Sequence, residues 1–174
     1  MKTSRRAWWF LLAGSLTLLP IASDSSTDST AAQCAHLAEY RSLDFTIGTW
    51  TTTDRKGSFA GTSTIKYDLD GCMLIETWRG RGVSGRNLDA YNAEDKHWHR
   101  FFVNSLGKVH VFEGISDGTS IRYEGTSADS NGKNIWNRLT IRKDGPNKVA
   151  QLWQKSSDGG KTWQTAFQAI YIRT

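Results

Sequence analysis

The chain has 174 residues, 22 Lys and Arg against 17 Asp and Glu, and a formal net charge of +5. Its 16 glycines and 8 tryptophans, with 2 prolines and 2 cysteines, exclude a collagen-like repeat, a disulfide-dense miniprotein and a charge-rich disordered chain. Residues 1–22 hold three of the basic residues and no acidic one, so the remainder carries only +2; no basic cluster with interleaved aromatics remains, and no nucleic-acid partner is expected.

The chain opens MKTSRRAWWFLLAGSLTLLPIA (1–22). Lys2, Arg5 and Arg6 precede an apolar run that ends near Ala22. That layout predicts a secretory signal peptide, with export to the periplasm or beyond and no stable membrane span after processing. A retained N-terminal anchor is the alternative. Ser4-Arg5-Arg6 suggests a twin-arginine start, but Trp8-Trp9 stands where Phe-Leu is usual, so ordinary export is preferred. Cleavage fits after Ala22 or after Ala32. Cys34 lacks a lipoprotein box, so no lipid anchor is expected. Residues 23–33 (SDSSTDSTAAQ) read as a flexible polar leader. Residues 34–174 are long enough for one domain with one core. In an exported chain, Cys34 and Cys72 suggest a single disulfide. Two buried free thiols are the alternative.

One short helix is expected over 31–41 (AAQCAHLAEYR), with Leu37 and Tyr40 three apart. Beyond it, short alternating runs are separated by turn clusters, and these predict ten strands: 46–53, 62–69, 72–80, 86–92, 97–104, 108–115, 119–126, 134–143, 148–156 and 162–172. Asn-Gly and Asp-Gly between them suit hairpin turns. The stretch SSDGGKTW (156–163) fits the Asp-box pattern of propeller proteins. It occurs once, and a propeller would repeat it in every blade. Asp158 and Trp163 are therefore read as structural residues of a hairpin. An all-β, up-and-down antiparallel barrel of about ten strands leaves no open edge and is the expected fold. A flattened two-sheet sandwich is the alternative.

If Leu106-Gly107 is a two-residue turn, Arg100 faces Glu113 directly. One face then carries Trp98, Arg100, Phe102, Asn104, Val109, Val111, Glu113 and Ile115. The other carries His97, His99, Phe101, Val103, His110 and Phe112. Glu76 and Trp78 share a face of the third strand, and Tyr91 shares one with Asn87 and Asp89 in the fourth. A lumen with so many polar groups suggests a ligand site. Glu76, Trp78, Tyr91, Trp98, Arg100, Phe102, Asn104, Glu113 and Arg138 are the candidate binding residues. The same groups also read as a satisfied network at a barrel end, or as solvent-facing residues if the register slips by one.

Other chemistry is sparse. His97-Trp98-His99 and His110 resemble part of a metal site, but no third ligand has a compelling spacing, so no metal is expected. No phosphate-binding loop, dinucleotide fingerprint or nucleophile elbow is present, and no cofactor is expected. Glu76 is the one catalytic candidate, as a base.

Gly48-Thr49-Trp50 resembles the G-x-W signature of lipocalin-like (calycin) barrels. In those an arginine packs over the tryptophan, a role open here to Arg138 or Arg173. Residues 43–174 are similar to an uncharacterised bacterial family of lipocalin-like domains, through LDFTIGTW (43–50), GCMLIETWRG (71–80), SGRNLDAYN (84–92), NRLT (137–140) and QLWQKSSDGGKTWQTAFQAIY (151–171). The resemblance implies a closed antiparallel barrel with Trp50 as a structural residue, and it supplies no activity. HWHRFFVN (97–104) departs from the family's Trp-rich strand with a Gln and an Asp, so no lumen chemistry carries over there. The leading expectation is an exported barrel that binds a small, partly apolar molecule. A hydrolase or isomerase using Glu76, and an interaction domain using Phe101, Phe112 and His110, are the alternatives. Oligomeric state is not legible.

Overall fold

A computed structural model describes residues 34–174. The signal peptide and leader expected over 1–33 lie outside the described residues. Ten antiparallel strands close into a barrel in chain order: β1 (Gly48–Thr53), β2 (Phe59–Asp68), β3 (Met73–Gly80), β4 (Ser84–Asn92), β5 (His97–Asn104), β6 (Val109–Ser116), β7 (Ser120–Ala128), β8 (Asn134–Lys143), β9 (Lys148–Ser156) and β10 (Gln164–Arg173). Each strand pairs with its sequence neighbours, and β1 pairs with β10 to close the ring. The helix is shorter than expected: a 3₁₀ turn at Cys34–His36, then α1 over Ala38–Arg41.

Closure follows from the alternation of the strands. In β8, Asn137, Leu139 and Ile141 are buried while Arg142 is exposed. A period of two puts one set inside and the other in water. The turns repeat one device. Asp54, Asn104 and Asp129 each sit three residues before a glycine (Gly57, Gly107, Gly132), whose φ is 80°, 71° and 77°. In each case the side-chain Oδ1 accepts from the amides two and four residues on. Each is a three-residue hairpin loop with glycine in the left-handed position.

That device corrects the expected register. Asn104 pairs across the loop with Lys108, so Arg100 faces Phe112, and His99 faces Glu113. Val109, Val111, Glu113 and Ile115 are exposed on the outside, and His110 and Phe112 are buried. A one-residue slip exchanges every side chain of the strand.

The N-terminal segment closes one end. Leu43 and Thr46 are buried. The Trp98 indole donates to Ser42 Oγ (2.9 Å), and the Trp50 indole to the Thr46 carbonyl (2.9 Å). Cys34 and Cys72 form a disulfide, Cα to Cα 5.0 Å, which ties this cap to the β2–β3 connection. Arg173, not Arg138, packs over Trp50 at 4.3 Å and donates to the Ile47 carbonyl (2.7 Å). A side chain at Gly48 would occupy the place of that guanidinium, and its φ of +138° also favours glycine.

Candidate functional site

The lumen divides into a filled half under the cap and a hollow half at the other end. In the filled half Arg100 Nε and Nη2 donate to the two oxygens of Asp89 (2.7 and 2.9 Å), and Tyr123 donates to Asp89 Oδ1 (2.6 Å). Arg100 Nη2 also lies 4.0 Å from Glu76 Oε2. Burial pulls the Arg100 guanidinium down, but Asp89, Tyr123 and Glu76 outweigh it and hold it above its ordinary value. Burial, then Asp89, pushes the Tyr123 phenol well up. Arg100 is thus a charged tie inside the core, where a paired charge is tolerated. Tyr91 and Trp98 also belong to this half. The Tyr91 ring packs against Tyr40 (5.1 Å) and Trp98 (5.9 Å) beneath the cap.

Above that layer is a cavity of about 350 Å³. Trp78, Phe102, Phe112, Trp153 and Phe167 make its aromatic wall. Glu76, Asn87, Gln151 and Tyr171 form its polar side, and exposed Arg81 stands at its mouth with Val83 and Asn104. Glu76 is only 3% exposed. It accepts from Ser63 Oγ at Oε1 and from Asn87 Nδ2 at Oε2, both at 2.6 Å. The Tyr171 hydroxyl donates to Gln151 Oε1 (3.1 Å), and burial, then the Glu76 charge, pushes this phenol well up. The Trp78 indole N–H is buried and finds no acceptor among the described residues.

The candidate residues therefore separate. Glu76, Trp78, Phe102 and Asn104 line the cavity. Asn104 spends its Oδ1 on the Leu106 and Lys108 amides, so its first task is the turn. Tyr91, Trp98 and Arg100 sit deeper, outside the cavity wall. Glu113 faces outward opposite His99 and Glu124, the consequence of the register. Arg138 is also on the outside, because Asn137 and Leu139 take the inward positions of β8. It donates to Gln154 Oε1 (2.7 Å) and stacks on Trp163 at 4.1 Å. Asp158 binds its own turn, accepting from Ser156 Oγ (2.6 Å), Thr162 N (2.9 Å) and Thr162 Oγ1 (2.6 Å). Those bonds hold its carboxyl well below the ordinary range.

The sequence singles out neither Trp153, Phe167, Gln151 nor Tyr171 for the cavity, and its reading sets Phe112 on the outer face. The others follow an i, i+2 or i, i+4 pattern in β9 and β10 that matches ordinary core residues. The three histidines do not assemble: His99 Nε2 meets Asp95 Oδ2 at 2.8 Å outside the barrel, while His110 is inside. Among the described residues no group of three or more His, Cys, Asp or Glu could hold a metal ion. No helix among them is long and apolar enough to cross a membrane.

Fold and cavity define the class: a closed ten-stranded up-and-down barrel whose lumen is hollow and aromatic at one end. No family model matches the chain, and no curated protein matches it. Seven solved chains are similar. One is the structure of EF1p2_mFAP2b bound to DFHBI, 15% identical over 78% of this chain and 99% of that chain, with a TM-score of 0.30. A score that low says nothing of what this chain binds.

Proposed function

We propose that this barrel binds one small, partly apolar molecule containing a flat ring. The observation that carries the reading is the cavity wall. Five aromatic side chains enclose about 350 Å³, within the ~300–1,000 Å³ of small-molecule sites. A barrel that needed only a core would fill this space with aliphatic side chains. Offset and edge-on contacts with the rings would supply affinity. Glu76, Asn87 and Gln151 would orient a hydrogen-bonding group of the ligand. Both Glu76 oxygens already accept hydrogen bonds, which favours a recognition role over that of a base.

The protein is further read as exported, on two supports: the signal layout of residues 1–22, and a disulfide between Cys34 and Cys72, which persists in oxidising compartments. The lipocalin-like resemblance gains support from the arginine over the G-x-W tryptophan. Bacterial origin rests on the resemblance alone.

Native mass spectrometry of protein purified from its own cells tests the binding reading. Wild type should carry a stoichiometric extra mass. Ala166→Trp, which places a ring in the cavity mouth from an exposed bulged position of β10, should not. A bare mass for wild type, with tryptophan fluorescence unmoved by anilinonaphthalene sulfonate, would sink it.

A further inference from the structure

A second recess, of about 810 Å³, opens beside the hollow end and shares no lining residue with the cavity. Its origin is a short ladder. Strands β6 and β7 pair only over Glu113–Ser116 and Ile121–Glu124. Beyond that, the start of β6 and the end of β7 form two walls of the recess. Val109 and His110, with Lys108 just before them, line the first, and Ser127 and Ala128, with Asp129 just after them, the second; Lys155 and Ser156 of β9 close it.

The charges there are unbalanced. Neither Lys108 nor Lys155 has a carboxylate within salt-bridge distance among the described residues. The Lys155 ammonium finds only the Trp153 ring face, at 5.0 Å. Asp129, the carboxylate in the recess, accepts from the Asn131 and Lys133 amides of its own turn. His110 is only 7% exposed, and its Nδ1 has no partner. Trp153 meets that imidazole edge-on at 4.7 Å, and Phe102 and Phe112 stack near it. A buried polar group without a partner is costly, and two neighbouring cations without an anion repel.

We propose that this recess is an anion site, in which Lys108, Lys155 and the His110 imidazole receive the carboxylate or phosphate group of a small organic molecule. One anionic group would offset both ammonium charges and accept from the imidazole. Lysine binds phosphate and carboxylate as a point charge, and the Ser127 hydroxyl, which accepts from Asn137 Nδ2 and keeps its own proton, adds a neutral contact. Val109, Ala128 and Ile135 give room for an apolar remainder. The burial of His110, and then the charges of Lys155 and Lys108, hold its imidazole down at about 4. A bound anion should raise it.

The test is an NMR titration of the labelled full chain, at constant ionic strength, with inorganic phosphate and then phenyl phosphate. The His110 imidazole resonances should shift saturably, and His110 should titrate at higher pH in the complex. Lys155→Gln and Lys108→Gln should each weaken binding about tenfold. Lys66→Gln, an exposed change on β2, should not. Ala166→Trp should leave the affinity intact, which separates this site from the lumen cavity. Equal affinity for the two probes would overturn the organic part of the proposal, because the recess would then read the free anion alone. Tighter phenyl phosphate would mean an organic anion. A shift that never saturates, or one that both lysine variants leave unchanged, would overturn the proposal.

Discussion

Arg100 and His110 are both buried polar residues of β5 and β6, and their surroundings give them opposite behaviour. Arg100 holds Asp89 through Nε and Nη2 and has Glu76 4.0 Å away. Removing it strands Asp89 in the core, so Arg100→Leu should lose about 3–5 kcal/mol of stability in a urea titration. Adding Asp89→Leu should recover part of that loss. If instead the single variant keeps its stability and loses only a ligand, Arg100 is a binding residue and the core reading fails. His110 is unpaired. Its folded pKa of about 4 lies below the ordinary 6.5. The native state therefore resists a proton that the unfolded chain accepts. Stability should be complete above about pH 6.5 and fall as pH drops towards about 4, by about 2–3 kcal/mol. In His110→Phe this slope should flatten, which chemical denaturation at a series of pH values would show.

At the scale of elements, the loops decide what the strands present. The loop Asn104-Ser105-Leu106-Gly107-Lys108 has three central residues, and the two-residue assignment of the sequence reading was wrong by one. That single error put Glu113 inside and His110 outside. The signal was nevertheless present in the sequence. Asp54-x-x-Gly57 and Asp129-x-x-Gly132 repeat the pattern, an Asx residue three before glycine. Gly107→Val forces a branched side chain into φ 71° and should cost about 1–2 kcal/mol, visible as a lower urea midpoint. The Asp158 turn works through its side chain. Asp158→Ala should lower the melting temperature at neutral pH. The gap should close in acid, because the depressed carboxyl contributes above its unfolded pKa and is lost as pH falls through the folded one.

For the molecule as a whole, closure rests on two long-range ties. One is the β1–β10 ladder, with Arg173 locked between Trp50 and the Ile47 carbonyl. The other is the disulfide, which closes a sequence separation of 38 and fastens the cap over the filled half. By loop-closure entropy its loss should cost about 3–4 kcal/mol. A Cys34→Ser/Cys72→Ser variant should show that loss in chemical denaturation. A loss near zero would mean that the cap holds by packing alone. With the cap fixed, only the opposite end of the lumen is free to stay hollow.

The ten-strand barrel was legible in the sequence because alternation and turn chemistry are local. Each strand announces its own two faces, and a run of short hairpins permits little besides an up-and-down order. Trp50, Asp158 and Trp163 carry signals of the same local kind, a G-x-W signature and one turn motif. Which face looks inward along β6 could not be read so simply, because it depends on one residue of loop length. The separation of Arg100, Trp98 and Tyr91 from Trp78 and Phe102 was invisible, because depth along a barrel axis is set by how all ten strands stagger. The cavity, the charged tie below it and the unpaired lysines beside it are facts of three-dimensional contact. Only the closed barrel brings β3, β5, β9 and β10 around one space, and only there does a missing partner become apparent.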